Sequence, residues 1–446
     1  MNSITSCKYL LFAILFLLSF GTYGQPKQTT KPAKSLKSLI EESSVFSKNI
    51  TGFVLFDAQD RRMLYSKNGE TYFTPASNTK LFSVYTAWKV MADSIPALYY
   101  TMQGDSLIFW GSGNPIFLHP DFRQDSIVFN FLKNHPGPLF FANSNFKDER
   151  FGSGWAWDDY SDYYQAEKSS FPIYGNTVLV RKTGSGFEVF PKFFQQRLEY
   201  NKDLPDERAI VKRQEYRNII EYNGAAGRTR TLERKIPFQS TPEMVALLLG
   251  DTLGKEVKLM PESYRLPQKF NTLRVQASPA LYRRTLQESD NFLAEQLLLM
   301  CSGQVFGTMN TAKMIDYAKK NFFGVLPQEL FWTDGSGLSR YNLVTPGAVA
   351  QTLYQLYRDV PAERLFNMMP AGGVSGTIKS WYAGDKEPYV FAKTGTLRHV
   401  HCLSGYVCAK SGKTLIFSFM HNNISVPADE VRKEMEKVLA WVYENN

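Results

Sequence analysis

Cysteine is scarce in this 446-residue chain, with Cys7, Cys301, Cys402 and Cys408 its only examples. Cys402 and Cys408 fall in one apolar, strand-like run, too far apart along it to bridge. A disulfide framework is therefore not expected, and stability must come from packed cores. Histidine is nearly as rare, with 5 in all. His399, His401 and Cys402 sit close in sequence, but side chains alternate along a strand, so His401 and Cys402 should face opposite ways. No metal site is expected there. Lys and Arg outnumber Asp and Glu, 51 to 42, and the net charge is +9. These residues are scattered, however, with no basic block and no nucleic-acid motif, so no nucleic-acid partner is expected. The glycine-rich stretch Gly111-Ser-Gly-Asn-Pro115 fits no phosphate-binding spacing and reads as a turn. No Gly-x-Ser-x-Gly elbow stands between a strand and a helix, which argues against that class of serine hydrolase. Beyond the first twenty residues no apolar run is long enough to span a bilayer. Internal repeats and low-complexity tracts are also lacking.

The N-terminus carries the one marked apolar run. Lys8 precedes Tyr9 to Leu18, and small and polar residues follow through Gly24-Gln25. That pattern predicts a secretory signal peptide over residues 1–24, with an uncleaved anchor as the alternative. Cys7 lies before the apolar run, the wrong place for a lipid-bearing cysteine. The protein is thus expected to be exported, periplasmic or in the cell envelope. A basic exported protein favours anionic cell-wall polymer or membrane surfaces, so peripheral association with either is one expectation. A merely soluble basic surface accounts for the charge as well.

After a polar leader at 25–34, a short helix is predicted over 35–46. Two strands follow, Thr51 to Asp57 and Arg62 to Ser66. Leu81, Phe82, Val84, Tyr85 and Trp88 then recur at helical spacing, to about Ala92. From 97 to 240 short apolar runs alternate with turn signals, as in one or two strand-rich modules. Helical texture returns at Thr241, Ser278, Asn291 and Pro346. Three more strands begin near Tyr389, Cys402 and Thr414, and an amphipathic helix closes the chain. Two N-terminal and three C-terminal strands make five, with helices around them. The expected fold is α/β: a five-stranded antiparallel sheet sandwiched by helices, built from 25–96 and 241–446 and split by a strand-rich insertion at 97–240.

Ser77-Asn78-Thr79-Lys80 opens the first long helix. Residues three apart share a helix face, which sets the Lys80 amine beside the Ser77 hydroxyl. A serine needs such a base to become a nucleophile, and burial or a second cation would bring the lysine toward neutrality. Alone the pattern is cheap: it also fits a capping serine with a surface lysine, and Ser144-Asn-Phe-Lys147 repeats it. Two further motifs change the weight. Ser289-Asp290-Asn291 opens a predicted helix, and Lys393-Thr394-Gly395-Thr396 ends a predicted strand. A second Lys-Thr-Gly, at Lys182, lies in a predicted hairpin turn and precedes Ser289.

In that order and context the three motifs resemble the signature of penicillin-binding proteins and serine β-lactamases. The 212 positions between Ser77 and Ser289 make the layout similar to the S13 peptidase family, the D-alanyl-D-alanine carboxypeptidases of the penicillin-binding protein 4 type. Gly154-Trp155 with Trp157, Asp334-Gly-Ser-Gly-Leu-Ser-Arg340 and Leu403-Ser-Gly-Tyr406 match that family too. The fit is weakest at 180–240.

The resemblance implies a serine-type carboxypeptidase that trims the terminal D-alanine of peptidoglycan stem peptides through an acyl-enzyme on Ser77, without a cofactor. β-Lactams would be covalent inhibitors, and endopeptidase action on cross-links is a companion activity. Lys80 would be the base, Ser289 the proton relay, and Asn291 the residue orienting Lys80. Lys393, Thr394, Gly395 and Thr396 would border the substrate carboxylate, with the Ser77 and Thr396 N–H groups as oxyanion hole. Asp159 matches a position that contacts the free amine of the substrate side chain, though a turn aspartate would look the same. Two rivals remain. A serine β-lactamase of class A would need a Glu-x-x-Leu-Asn deacylating carboxylate, which is missing. A non-catalytic cell-wall-binding protein would have no use for an intact Ser77, Lys80, Ser289 and Lys393.

Overall fold

The computed structural model describes residues 35–122, 126–184, 186–276 and 278–446. The predicted signal and leader at 1–34 lie outside the described residues. Within Leu36–Asn446, both ends of the chain meet in one antiparallel sheet. Its strand order is Val390–Leu397, Val400–Cys408, Thr414–Asn422, Ile50–Asp57 and Arg62–Lys67.

Period-two alternation divides this sheet between two cores. Phe53, Leu55, Leu403, Phe417 and Phe419 pack on one face with Val431, Met435 and Leu439 of the Ala428–Asn445 helix. Ile40 of the short Leu36–Glu41 helix joins them. Val54, Tyr406, Ile416 and Met420 face the other way, into the core shared with Phe82, Val84, Leu298 and Val349. Those residues come from the helices Lys80–Val90, Asn291–Phe306 and Pro346–Asp359. The predicted sandwich is therefore observed.

The strand-rich middle forms three further sheets. One has five strands, in the order Val257–Leu259, Leu139–Ala142, Ser106–Gly111, Ser94–Gln103 and Asn271–Gln276. Two three-stranded sheets account for the other strands between Thr177 and Pro237. The pairing of Ser94–Gln103 with Asn271–Gln276 is antiparallel. It brings the chain out of and back to the catalytic half at neighbouring points, so strands from beyond residue 240 join the middle segment. An insertion that leaves its host's core intact needs such adjacent ends. The helices Ile127–Asn134, Gly224–Arg228, Thr311–Asn321 and Ala362–Met368 have no counterpart in the sequence reading.

Candidate active site

Ser77 sits in a 3₁₀ turn, Ala76–Thr79, that runs directly into the Lys80–Val90 helix. The residue before it, Ala76, is held at φ 47°, in the left-handed region that a β-carbon disfavours. The Thr79 hydroxyl bonds back to the Ala76 carbonyl at 2.9 Å, and Asn78 Nδ2 donates to the Lys393 carbonyl at 2.9 Å. The turn is thus tied to the Val390–Leu397 strand. Gly395 permits this approach: a Cβ there would lie 2.5 Å from the Pro75 carbonyl oxygen and 3.0 Å from the Ser77 nitrogen.

The Lys80 ammonium group is fully buried and meets three acceptors: Ser77 Oγ at 2.9 Å, Asn291 Oδ1 at 2.6 Å and the Ser336 carbonyl at 2.6 Å. Burial pulls its pKa down to about 8, against the opposing pull of Asp334, Asp290 and Glu295. As a neutral amine, Lys80 can spend its two N–H bonds on Asn291 and Ser336. Its lone pair then points at the Ser77 hydroxyl, the arrangement a general base requires. Asn291 is itself held by donating from Nδ2 to the Tyr164 carbonyl at 3.0 Å.

Lys393 is also fully buried, and donates to Ser289 Oγ at 2.9 Å and to the Thr394 carbonyl at 2.7 Å. Burial, with the neighbouring charge of Lys80, drives its pKa well below the ordinary value. A charge on either of these two lysines disfavours a charge on the other. Ser289 lies at φ 57°, another left-handed residue at this centre. It is not the helix cap that its position also allowed: Asp290 caps the Asn291–Phe306 helix, accepting from the Leu293 N–H at 3.0 Å. That leaves the Ser289 hydroxyl to Lys393.

A cleft of about 1370 Å³ opens above these groups, with Ser77, Ser289, Asn291, Thr394 and Thr396 in its lining. Thr394 bonds the Thr377 hydroxyl at 2.7 Å, and Thr396 Oγ1 lies 3.0 Å from His401 Nδ1. Asp159 lines the same cleft from the Trp157–Ser161 turn. Partial burial raises its pKa, and Asp162 and Asp158 add to this while Tyr164 opposes it. All the sequence-predicted site residues therefore border or underlie one cavity.

The Asp334–Arg340 loop completes the wall. The buried Asp334 carboxylate accepts from Trp155 Nε1, the Ser339 and Gly337 amides, Asn342 Nδ2 and the Ser336 hydroxyl, at 2.7 to 3.3 Å. It shapes the loop and thereby aims the Ser336 carbonyl at Lys80. Gly337, at φ +84°, lies against the turn, where a Cβ would fall 1.9 Å from the Ala76 oxygen. Glu295, one helical turn beyond Asn291, accepts from the Ser336 N–H at 2.7 Å. Its other oxygen is buried without a partner among the described residues. Burial first, then Asp334, raises its pKa to about 7.

Sequence reasoning did not single out Asn78, Glu295 or Thr377. Ser336 acts through a carbonyl, which leaves no side-chain signal. Glu295 was detectable as a lone acid in an otherwise apolar helix. The look-alike motifs lie elsewhere. Ser144 accepts from Trp110 Nε1, and Lys182-Thr183-Gly184 turns a hairpin between Thr177–Thr183 and Gly186–Phe190. His399 bonds the Ile424 carbonyl, and Cys402 Sγ lies 3.7 Å from the Thr74 carbonyl. The three described cysteines are free thiols.

Comparison with known proteins agrees with this geometry. The family model described as D-Ala-D-Ala carboxypeptidase 3 (S13) matches residues 33–444. A D-alanyl-D-alanine carboxypeptidase of Actinomadura sp. (strain R39) is 24% identical over 426 residues, 85% of this chain and 79% of the relative. D-alanyl-D-alanine carboxypeptidase DacB of Haemophilus influenzae is 23% identical over 414 residues, covering 84% of this chain and 85% of its own. The crystal structure of penicillin binding protein 4 (dacB) from Haemophilus influenzae shares the fold. Its TM-score is 0.73 at 20% identity, over 92% of this chain and 99% of that one.

Proposed function

Because the chain belongs to the S13 family of D-Ala-D-Ala carboxypeptidases, we propose that it is an exported serine DD-peptidase. In this reading it removes the terminal D-alanine of peptidoglycan stem peptides in the periplasm or cell envelope, after its N-terminal signal is cleaved. The observation that carries the reading is the buried Lys80 amine, 2.9 Å from Ser77 Oγ, with Asn291 and Ser336 occupying its other hydrogen-bonding directions.

Ser77 Oγ attacks the carbonyl carbon of the penultimate D-alanine while Lys80 takes its proton. The oxyanion that forms is received by the Ser77 and Thr396 backbone N–H groups. Thr394 and Thr396 take the terminal carboxylate, and that anion, once bound, favours the charged form of the neighbouring Lys393. Ser289, held by Lys393, gives its hydroxyl proton to the departing D-alanine nitrogen as the C–N bond breaks; the proton that Lys80 took from Ser77 replaces it, which leaves Lys80 neutral again. Water then attacks the acyl carbon, with Lys80 again the base, and Ser77 leaves with its proton restored. Asp159, in an acidic turn with Asp158 and Asp162, faces the cleft where a cationic side-chain amine of the stem peptide would be favoured. A β-lactam presents the same carbonyl and carboxylate, so it acylates Ser77 in place of substrate. The cleft is roomy enough for a branched, cross-linked peptide, which supports a companion endopeptidase activity.

Labelled penicillin followed by peptide mass mapping tests the centre of this reading. Label is expected on Ser77 and absent from Ser77→Ala; label elsewhere, or rapid turnover of the drug, would sink it. Muropeptide pentapeptide and cross-linked dimer, offered to the same protein, separate the two activities. Export is tested by the N-terminal sequence of the protein recovered from the cell envelope. A sequence beginning at residue 1 would refute cleavage.

A further inference from the structure

Thr396 opens a row of four polar residues that crosses four strands of the main sheet. The register pairs Thr396 with His401, His401 with His421, and His421 with Thr51. Opposed residues of an antiparallel pair share a face of the sheet, so the row runs unbroken from the cleft into the interior. His401, His421 and Thr51 are buried, with the Phe46 ring stacked on His421 at 4.9 Å between centroids.

Hydrogen-bond directions along the row can be assigned from its inner end. The Thr51 hydroxyl donates its single proton to the Phe46 carbonyl at 3.3 Å. Toward His421 Nδ1, at 2.9 Å, it can therefore only accept. His421 carries its proton on Nδ1, and its bare Nε2 is buried without a partner. An unpaired acceptor is tolerated there more readily than an unpaired N–H would be.

At the outer end the question is which of Thr396 and His401 donates. Burial, aided by the positive charge of Arg432 and opposed by Asp429, brings His401 down to about 3. It is neutral at working pH, with one ring proton to place. If Thr396 donated to His401, its only proton would be spent, and a bound carboxylate would meet hydroxyl lone pairs. If His401 donates from Nδ1, the Thr396 proton is released toward the cleft.

We propose that His401 is a positioning residue for anion recognition: its Nδ1–H donates to Thr396 Oγ1 and fixes that hydroxyl as a donor to the substrate's terminal carboxylate. The inference rests on the carboxypeptidase reading, which assigns the carboxylate to Thr396. It goes further in making a buried imidazole, acting through Thr396, a determinant of preference for a charged C-terminus.

The test compares Ser77 acylation by benzylpenicillin and by its methyl ester, which lacks the carboxylate. His401→Leu should slow acylation by benzylpenicillin about tenfold, the scale of one hydrogen bond to a charged group. Acylation by the ester should stay at the wild-type rate. In D-alanine release from a pentapeptide the loss should fall on KM rather than kcat. His401→Asn, which keeps an N–H near the Nδ1 position, should restore the preference. His401→Gln, whose amide reaches past it, should not. Should His401→Leu fail to fold, the Asn and Gln variants decide the question by the same ratio. Equal slowing of both penicillins, or equal behaviour of Asn and Gln, overturns the proposal. Failure of the wild-type protein to label on Ser77 is a different result, visible without any substitution, and would overturn the underlying reading.

Discussion

Replacing Gly395 by alanine perturbs the centre through one methyl group. The ideal Cβ would stand 2.5 Å from the Pro75 oxygen, 3.0 Å from the Ser77 nitrogen and 3.1 Å from the Asn78 nitrogen. Ordinary contact begins near 3.4 Å, so the shortest approach is too close by 3.4 − 2.5 = 0.9 Å. All three obstacles are backbone atoms of the nucleophile turn, and no rotamer change can relieve them. The strand must part from the turn by nearly 1 Å, against the Asn78–Lys393 hydrogen bond that joins them. Overpacking of this kind costs about 1–3 kcal/mol in stability. A displacement of about 1 Å between reacting groups costs on the order of 10²-fold in rate. Gly395→Ala is therefore expected to fold, to melt a few degrees lower, and to acylate with labelled penicillin about a hundredfold more slowly. Gly186→Ala is the control, because its Cβ would meet nothing within 4 Å. Wild-type acylation by Gly395→Ala would refute the argument that strand and turn touch where the chemistry occurs.

Penicillin acylation should rise with pH and level off above about 8, because Lys80 acts as an amine and its folded pKa is pulled down to about 8. Lys80→Arg, which cannot lose its proton, should abolish that limb and at least about 10² of the rate; a flat profile in the wild type would contradict the base assignment. Glu295 binds its proton more tightly in the folded chain, with a pKa of about 7 against 4.5. The folded state thus holds more protons between those values, and stability falls as pH rises through that window. Glu295→Gln should remove this decline and be more stable at pH 8, by about 1–3 kcal/mol; unchanged melting curves across pH 5–8 would show that the acid does not titrate there. Asp334→Ala leaves several buried donors unpaired, and should cost at least about 3 kcal/mol in denaturant titration. A loss below about 1 kcal/mol would show the loop to be held by other contacts.

The helix behind Ser77 and the strand ending in Lys393-Thr-Gly were legible because their apolar periods match their structures. The look-alikes at Ser144 and Lys182 could be set aside from context, since one follows a strand and the other turns a hairpin. The edges of the insertion were less legible. Val257–Leu259 and Asn271–Gln276 are short strands whose partners lie more than a hundred residues away. Pairing over such separations leaves no local pattern. The place of His401 was also hidden: along the chain it stands beside His399 and Cys402, and only cross-strand register sets it against Thr396.

By itself, then, the sequence determined which residues could do chemistry and in what order the elements run. Hydrophobic period and motif spacing are local properties, carried by neighbours along the chain. Tertiary structure decided what state those residues are in. Burial strips water from two lysines and lowers their affinity for protons. A carbonyl from the Asp334 loop takes up one direction of the Lys80 nitrogen. A glycine in a distant strand lets that strand approach the Ser77 turn. Each of these depends on contacts between segments far apart in sequence, where desolvation and packing act and no local pattern reaches.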